Sequence, residues 1–363
     1  MTRHPVFVTR KFPPSVGGME TLAAGVWRSV LAVRPDAIKI SHGGANRDLV
    51  WWLPLSLIRL VVLIARRQVE FVLTGDALMY ASATGLLRLF RVPHATMIMG
   101  LDVTFESRIY RAVVHPLLRR APRVIAISSA TAQRAREFGV PADRVSILRL
   151  GVQAPDVDAE GRTAASIAVR GRHHFAESDV LILTLGRLVQ RKGVRWFVTE
   201  VLPALPQYVH YLVVGDGEDE AAILAAADRA GVADRVHLLG RVDDADREDL
   251  LRGVDLFVQP NIPVPGDMEG FGLVTIEAAM RGTPVVAADL EGIKDAVVDG
   301  HTGILLAPQD GQAWVDRLSL LVADRRALVR LGAEFQVVVR KLHGEAAMAR
   351  ALAEQLGLDA VSR

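Results

Sequence analysis

Glu269-Gly-Phe-Gly-Leu-Val-Thr-Ile-Glu277, continued by Ala278-Ala-Met-Arg-Gly-Thr-Pro284, decides how the rest of this 363-residue chain is read. Pro260, Pro263, Pro265 and Gly266 crowd its approach, so the segment before Glu269 is a loop. From Gly272 to Arg281 the residues are apolar and helix-compatible, and Gly282 with Pro284 stops the helix. Pro284-Val-Val-Ala-Ala288 then reads as a short buried strand. A loop-to-helix junction of small residues exposes backbone N–H groups at the positive end of a helix, which suits a phosphate. Glu269 precedes that helix and Glu277 lies one to two turns inside it. The two carboxylates therefore address different parts of one ligand and do not stack on one face. The plain alternative, two solvated glutamates on an amphipathic helix, is the better reading for this stretch alone.

Upstream, Val180-Leu-Ile-Leu-Thr-Leu185 is a strand, followed by the loop Gly186-Arg187-Leu-Val-Gln-Arg-Lys192-Gly193. Arg187 and Lys192 at the carboxyl end of that strand suit a diphosphate, the arginine as a bidentate fork and the lysine as a point charge, with a solvated basic turn as the plain alternative. Arg191 is expected on the surface. Tyr211–Gly215 is the next strand, with Gly215-Asp-Gly217 at its end. Val236–Gly240 follows, running into Arg241 and Val242, and Leu256–Pro260 leads back to the central stretch. Gly303–Ala307 is a last strand. Asp243-Asp-Ala-Asp246 reads as a helix start, and His173-His174 as a solvated pair in a polar linker.

The N-terminal half alternates in the same way. Five strands are expected, at Pro5–Thr9, Phe71–Thr74, Ala95–Met99, Arg123–Ser128 and Val145–Leu148, with helices between them. Alternating strands and helices imply a parallel sheet with helices on both faces. In such sheets ligands bind beyond the carboxyl ends of the strands, where Gly17-Gly18, Gly75, Gly100 and Ser128 fall. Gln153–Asp179 is polar and lacks a clear period, so the boundary lies there: residues 1–153 form one domain and 154–344 the second.

Half of the residues are apolar and 23% are charged, a globular composition. There is no cysteine, which excludes disulfides and thiolate chemistry and suits a reducing cytoplasm. With a formal net charge of only +2 and no basic stripe, nucleic acid is not an expected partner. No signal-peptide pattern is read at Met1–Pro5. Leu49–Ala65, followed by Arg66-Arg67, is the greasiest stretch, interrupted by Pro54 and Arg59. It is too short and broken to span a bilayer. Burial is expected, with an interfacial position anchored by Trp51, Trp52 and the arginines as the alternative.

Three elements in order, Gly186-Arg187…Lys192-Gly193, Gly240-Arg241-Val242 and Glu269-x7-Glu277, resemble the signature of retaining GT-B glycosyltransferases of family 4. The resemblance covers nearly the whole chain and is firmest from Leu183 to Leu306. It implies two Rossmann-like α/β domains facing a cleft, with the last helix, about 345–363, packing back on the first domain. It implies that Arg187 and Lys192 hold the donor diphosphate and neutralise the leaving group, and that Glu269 faces the donor sugar. Gly272 with Leu273 would meet the diphosphate, Glu277 the ribose hydroxyls and Arg241-Val242 the nucleobase, with Phe271 also among the donor-binding residues. Gly215 would line the nucleotide cleft, and the Gly17-Gly18 loop would approach the phosphates and the acceptor. In this family a histidine often contacts the donor sugar just before Gly100; here Met99 stands in its place, with Asp102 a further candidate for sugar hydroxyls. The activity implied is transfer of a hexose from a UDP- or GDP-sugar to a glycan or lipid-linked acceptor in cell-envelope or exopolysaccharide synthesis. Configuration would be retained, and neither metal nor cofactor would be needed. The enzyme would be cytoplasmic, with a possible place on the inner membrane face through residues 49–67. Two alternatives remain open: a non-catalytic nucleotide-sugar-binding protein, and a hydrolase or epimerase of the same fold.

Overall fold

Apolar runs such as Val180–Leu185 carry no polar face, so as strands they need cover on both sides. The computed structural model of the protein describes residues 2–15, 17–100, 107–153 and 159–358. The chain falls into two units, residues 1–153 with 343–363, and residues 154–342.

The first unit is built on a six-stranded parallel sheet of order β2-β1-β3-β4-β5-β6. Its strands are β1 His4–Thr9, β2 Ile38–Ser41, β3 Val69–Thr74, β4 His94–Ile98, β5 Val124–Ala126 and β6 Val145–Ile147. The strand absent from the sequence reading is β2. It has four residues, stands at the sheet edge against β1, and buries only Ile40 fully. Val6, Val8, Val72, Leu60, Met79 and Leu87 fill the core beside it.

The helix Leu49–Ala65 corrects the expectation of burial. Leu60 is fully buried and Trp52, Leu53 and Leu57 pack on the same core, but Trp51, Leu55 and Ile58 are 77%, 63% and 59% exposed. The helix is apolar all round, and a single helix on an open sheet can cover only one side. At the other end of the chain, the helix Glu345–Leu356 packs on the helix Gly18–Val33. Arg28 pairs with Glu345 at 2.5 Å, and the Val152 N–H donates to the His343 carbonyl at 2.9 Å.

The second unit repeats the plan with β7 Val180–Leu185, β8 Val209–Val214, β9 Val236–Gly240, β10 Leu256–Gln259, β11 Val285–Ala288 and β12 Ile304–Leu306. All pairs are parallel and the order is β12-β11-β10-β7-β8-β9. The chain moves outward from β7 through β8 to β9, then crosses to β10 on the other side of β7. Loops leaving β7 and β10 thus diverge at a topological switch point, the place where open α/β sheets bind ligands. Beneath it Phe197, Tyr211, Trp314 and Phe335 pack with Ile182 and Val258. The Thr184 hydroxyl ties β7 to both its neighbours, 2.7 Å from the Tyr211 hydroxyl of β8 and 2.7 Å from the Val258 carbonyl of β10.

One further correction concerns the polar segment after residue 153. Residues Ala159–His173 form a helix that packs on the helix Asp244–Gly253. Its inward face is Ala165, Val169 and Arg170, too small and too polar to give an apolar period. Arg170 is tolerated there because its guanidinium meets Asp255 at 2.7 Å and the carbonyls of Ala176 and Asp179 at 2.8 and 2.9 Å.

Candidate functional site

Two loops at the switch point carry the charged groups. The one leaving β7 tightens into a turn of 3-10 helix, Gln190–Lys192. The one leaving β10 runs from Pro260 to the helix Leu273–Met280. They are joined along the backbone, where the Ile262 N–H donates to the Arg191 carbonyl at 3.0 Å.

Glu269 is the centre of the cluster. Although only 9% exposed, its carboxylate accepts from Lys192 Nζ at 2.7 Å, from Asn261 Nδ2 at 3.0 Å, and from the Arg191 guanidinium. Burial by itself would raise its pKa, but the charges of Lys192 and Arg191 and the hydrogen bonds bring it down to about 2. Glu269 is therefore ionised throughout the neutral range. Lys192 is itself 9% exposed, and burial draws its pKa down against the pull of Glu269. Arg187 is exposed at the mouth of the loop, near enough that its charge also lowers the Lys192 ammonium.

The surface position expected for Arg191 is corrected. Its side chain is 12% exposed, with Nε 2.9 Å from Asp267 and Nη1 on Glu269. Consecutive residues of a 3-10 turn normally diverge, and the loop from β10 folds over this turn to capture both cations, which local sequence does not reveal. Asn261 was also passed over. It is 1% exposed and its Oδ1 has no partner, an unused acceptor buried beside the central carboxylate.

The helix Leu273–Met280 begins at Gly272, whose φ of +85° is a left-handed conformation that a side chain would strain. That turn places the first-turn amides of Leu273 and its neighbours at the positive end of the helix, two residues beyond the buried Phe271. Within the helix, Glu277 is 9% exposed and bonds the Arg247 guanidinium, a partner not anticipated. Arg247 stands on the helix Asp244–Gly253, which Asp243 caps by accepting the Asp246 N–H at 2.8 Å. Arg281 forks onto Glu248 at 2.6 and 2.9 Å and fixes the two helices together.

The remaining candidates distribute as follows. Gly215 ends β8, its N–H donating to the Gly240 carbonyl at 2.8 Å. Arg241 follows β9, is 77% exposed and pairs with Asp216 at 2.9 Å, while Val242 is half-buried beside it. The second unit thus assembles Arg187, Arg191, Lys192, Asn261, Glu269 and Gly272 on neighbouring loops, with Glu277 on the helix that follows. Gly17 and Gly18 belong to the first unit, at the start of the helix Gly18–Val33, and so does Met99, which is buried just past β4. Asp102 lies outside the described residues.

Comparison with known proteins follows the same division. A family model described as glycosyl transferases group 1 matches residues 179–324, and one described as glycosyltransferase family 4 matches residues 30–154. A D-inositol 3-phosphate glycosyltransferase of Xylanimonas cellulosilytica is 33% identical over 248 residues, covering 63% of this chain and 57% of that protein. The lipopolysaccharide core biosynthesis mannosyltransferase LpcC of Rhizobium leguminosarum bv. viciae is 32% identical over 249 residues, or 64% of each chain. The chain therefore spans less than two thirds of the length of either relative. Among solved structures, Anabaena HepE in complex with UDP superposes with a TM-score of 0.78 at 19% identity, covering 98% of this chain and 99% of that one. At that identity the likeness is one of fold, two Rossmann-like domains of the GT-B type.

Proposed function

The chain belongs to the group 1 glycosyl transferases of family 4, and from that premise we propose that it moves a sugar from a nucleotide diphosphate to an acceptor hydroxyl with retention of configuration. The observation that carries this reading is Glu269, ionised and buried among Lys192, Arg191 and Asn261 beside a helix start. In such a transfer the bond between the anomeric carbon and the phosphate oxygen breaks while the acceptor oxygen bonds the same face of that carbon. The acceptor proton passes to the departing phosphate oxygen, and no step is assigned to a metal or cofactor. Negative charge grows on the diphosphate, where Arg187, Lys192 and the amides near Leu273 would meet it. Positive charge grows on the sugar, which Glu269 would orient and stabilise. Glu277 would hold the ribose, exchanging or sharing its Arg247 contact.

The donor is tested by calorimetric titration with UDP-, GDP- and ADP-sugars. One nucleotide sugar is expected to bind with a dissociation constant of about 1 µM to 1 mM, the usual range for such substrates. Binding of none would overturn the reading, and turnover without an acceptor would replace transfer by hydrolysis.

The acceptor reading includes a membrane surface, placing the enzyme peripherally on the cytoplasmic face. Trp51, Leu55, Ile58 and Val62 recur at helical spacing on one exposed face of Leu49–Ala65. Arg59, Arg66 and Arg67 are exposed beside them, and the helix contains no acidic residue. That combination fits an anionic bilayer interface, with the indole at headgroup level and the guanidinium groups on lipid phosphates. No helix among the described residues is long and apolar enough to cross a membrane. The protein is expected to sediment with phosphatidylglycerol vesicles, and Trp51→Ala with Ile58→Ser to lose about tenfold or more of that affinity. Equal sedimentation of wild type and variant would remove the helix from the interface.

A further inference from the structure

Glu291 stands in the turn between β11 and the short helix Ile293–Ala296, where its φ of +48° is left-handed. A residue with a Cβ is disfavoured there, and no turn requirement calls for glutamate in place of glycine. What its side chain does is specific. The carboxylate accepts the backbone N–H of Glu269 at 2.6 Å, and the next residue, Gly292, donates its own N–H to the Glu269 carbonyl at 3.2 Å. Both backbone groups of Glu269 are thus held by two consecutive residues of one turn. The fit is close: a Cβ on Gly292 would lie 2.1 Å from the Gly270 carbonyl oxygen. The turn itself is anchored by Ile293, which is fully buried.

Burial, the Glu269 charge and the nearby Asp267 raise the Glu291 pKa, opposed by the hydrogen bond from the Glu269 amide and by the Arg191 charge. A second carboxylate beside an already buried one is electrostatically unfavourable, and a left-handed glutamate is sterically unfavourable. Both costs fall on a single side chain whose contact is the amide of the central residue. We propose that Glu291 is a positioning residue, which pins the Glu269 peptide so that the Glu269 carboxylate is held in register with Lys192, Arg191 and the donor sugar. This rests on the reading of Glu269 as the carboxylate that faces the sugar.

The test compares Glu291→Gly and Glu291→Gln with the wild type in the full chain. Glycine removes the carboxylate but suits the left-handed backbone, so the thermal midpoint is expected to stay or rise. Sugar-transfer kcat is expected to fall about ten- to hundredfold, because a loosened carboxylate is a misplaced one, while donor KM stays within about threefold. Glutamine keeps an acceptor oxygen for the Glu269 amide and is expected to recover most of kcat. The clamp is also read without turnover: hydrogen exchange at the Glu269 amide is expected to speed up about tenfold or more in Glu291→Gly. Unchanged exchange with kcat within about twofold would overturn the proposal, as would a fall in stability large enough to account for the lost activity. A wild type that transfers no sugar would sink the enzymatic reading, and with it the catalytic part of the proposal; unchanged Glu269 exchange would then dispose of the clamp as well.

Discussion

Replacing Glu269 by glutamine is expected to lower sugar-transfer turnover by about 10²–10³-fold and to destabilise the second unit by on the order of 3 kcal/mol. The carboxylate is buried with two cations on it, Lys192 at 2.7 Å and Arg191. Glutamine keeps the shape but leaves the buried Lys192 ammonium without its nearest compensating charge, and removing one partner of a buried pair costs about 3–5 kcal/mol. The pKa leads to a similar magnitude. Against a usual value of 4.5, the folded value of about 2 represents a stabilisation on the order of 3 kcal/mol. Because the folded value lies below the unfolded one, this contribution is present above pH 4.5 and is lost as the pH falls toward 2. Urea denaturation at pH 7, 5 and 3 should therefore show a shallower acid decline for Glu269→Gln than for the wild type. An equally steep decline, or turnover within about tenfold of the wild type, would remove Glu269 from the centre of the site.

Lys192→Met should act differently. Methionine fills much of the same space without charge, and Arg191 remains on Glu269 with Asp267 behind it. The buried carboxylate therefore keeps one strong partner, and the loss of stability should be smaller than for Glu269→Gln. On the proposed reading, in which Lys192 meets the growing phosphate charge, turnover should nevertheless fall by about 10²-fold or more, the cost of removing a preorganised group of that kind. Its three donors allow it to hold Glu269 and a phosphate oxygen together, so donor affinity should fall as well. Stopped kinetics with calorimetric titration separate these effects. Unchanged donor affinity with kcat within about twofold would make Lys192 only a structural counter-ion of Glu269.

The α/β class is legible in the chain without coordinates, because strands such as Val180–Leu185 are short, apolar and punctuated by glycine, and the helices between them keep their own period. The sequence also placed Arg187 and Lys192 at a strand end, whereas Glu269 and Glu277 stood out only through the resemblance of three ordered motifs to family 4. It did not determine the strand order. That β10 returns to the side of β7, bringing Glu269 to Lys192 across 77 residues of chain, is a consequence of sheet packing and not of any local pattern. Arg191 and Asn261 joined the site for the same reason: Arg191 reads as a surface cation beside Lys192 and Asn261 as an ordinary loop residue, and each is buried because the two loops close on one another. The helix Ala159–His173 escaped notice because its packed face is small side chains and a paired arginine, whose fit depends on Asp255 in a distant loop. Leu49–Ala65 shows the converse limit. Its apolar character was plain, but whether a side chain such as Trp51 points into the core or away from it depends on where the sheet lies, and only the tertiary structure supplies that direction.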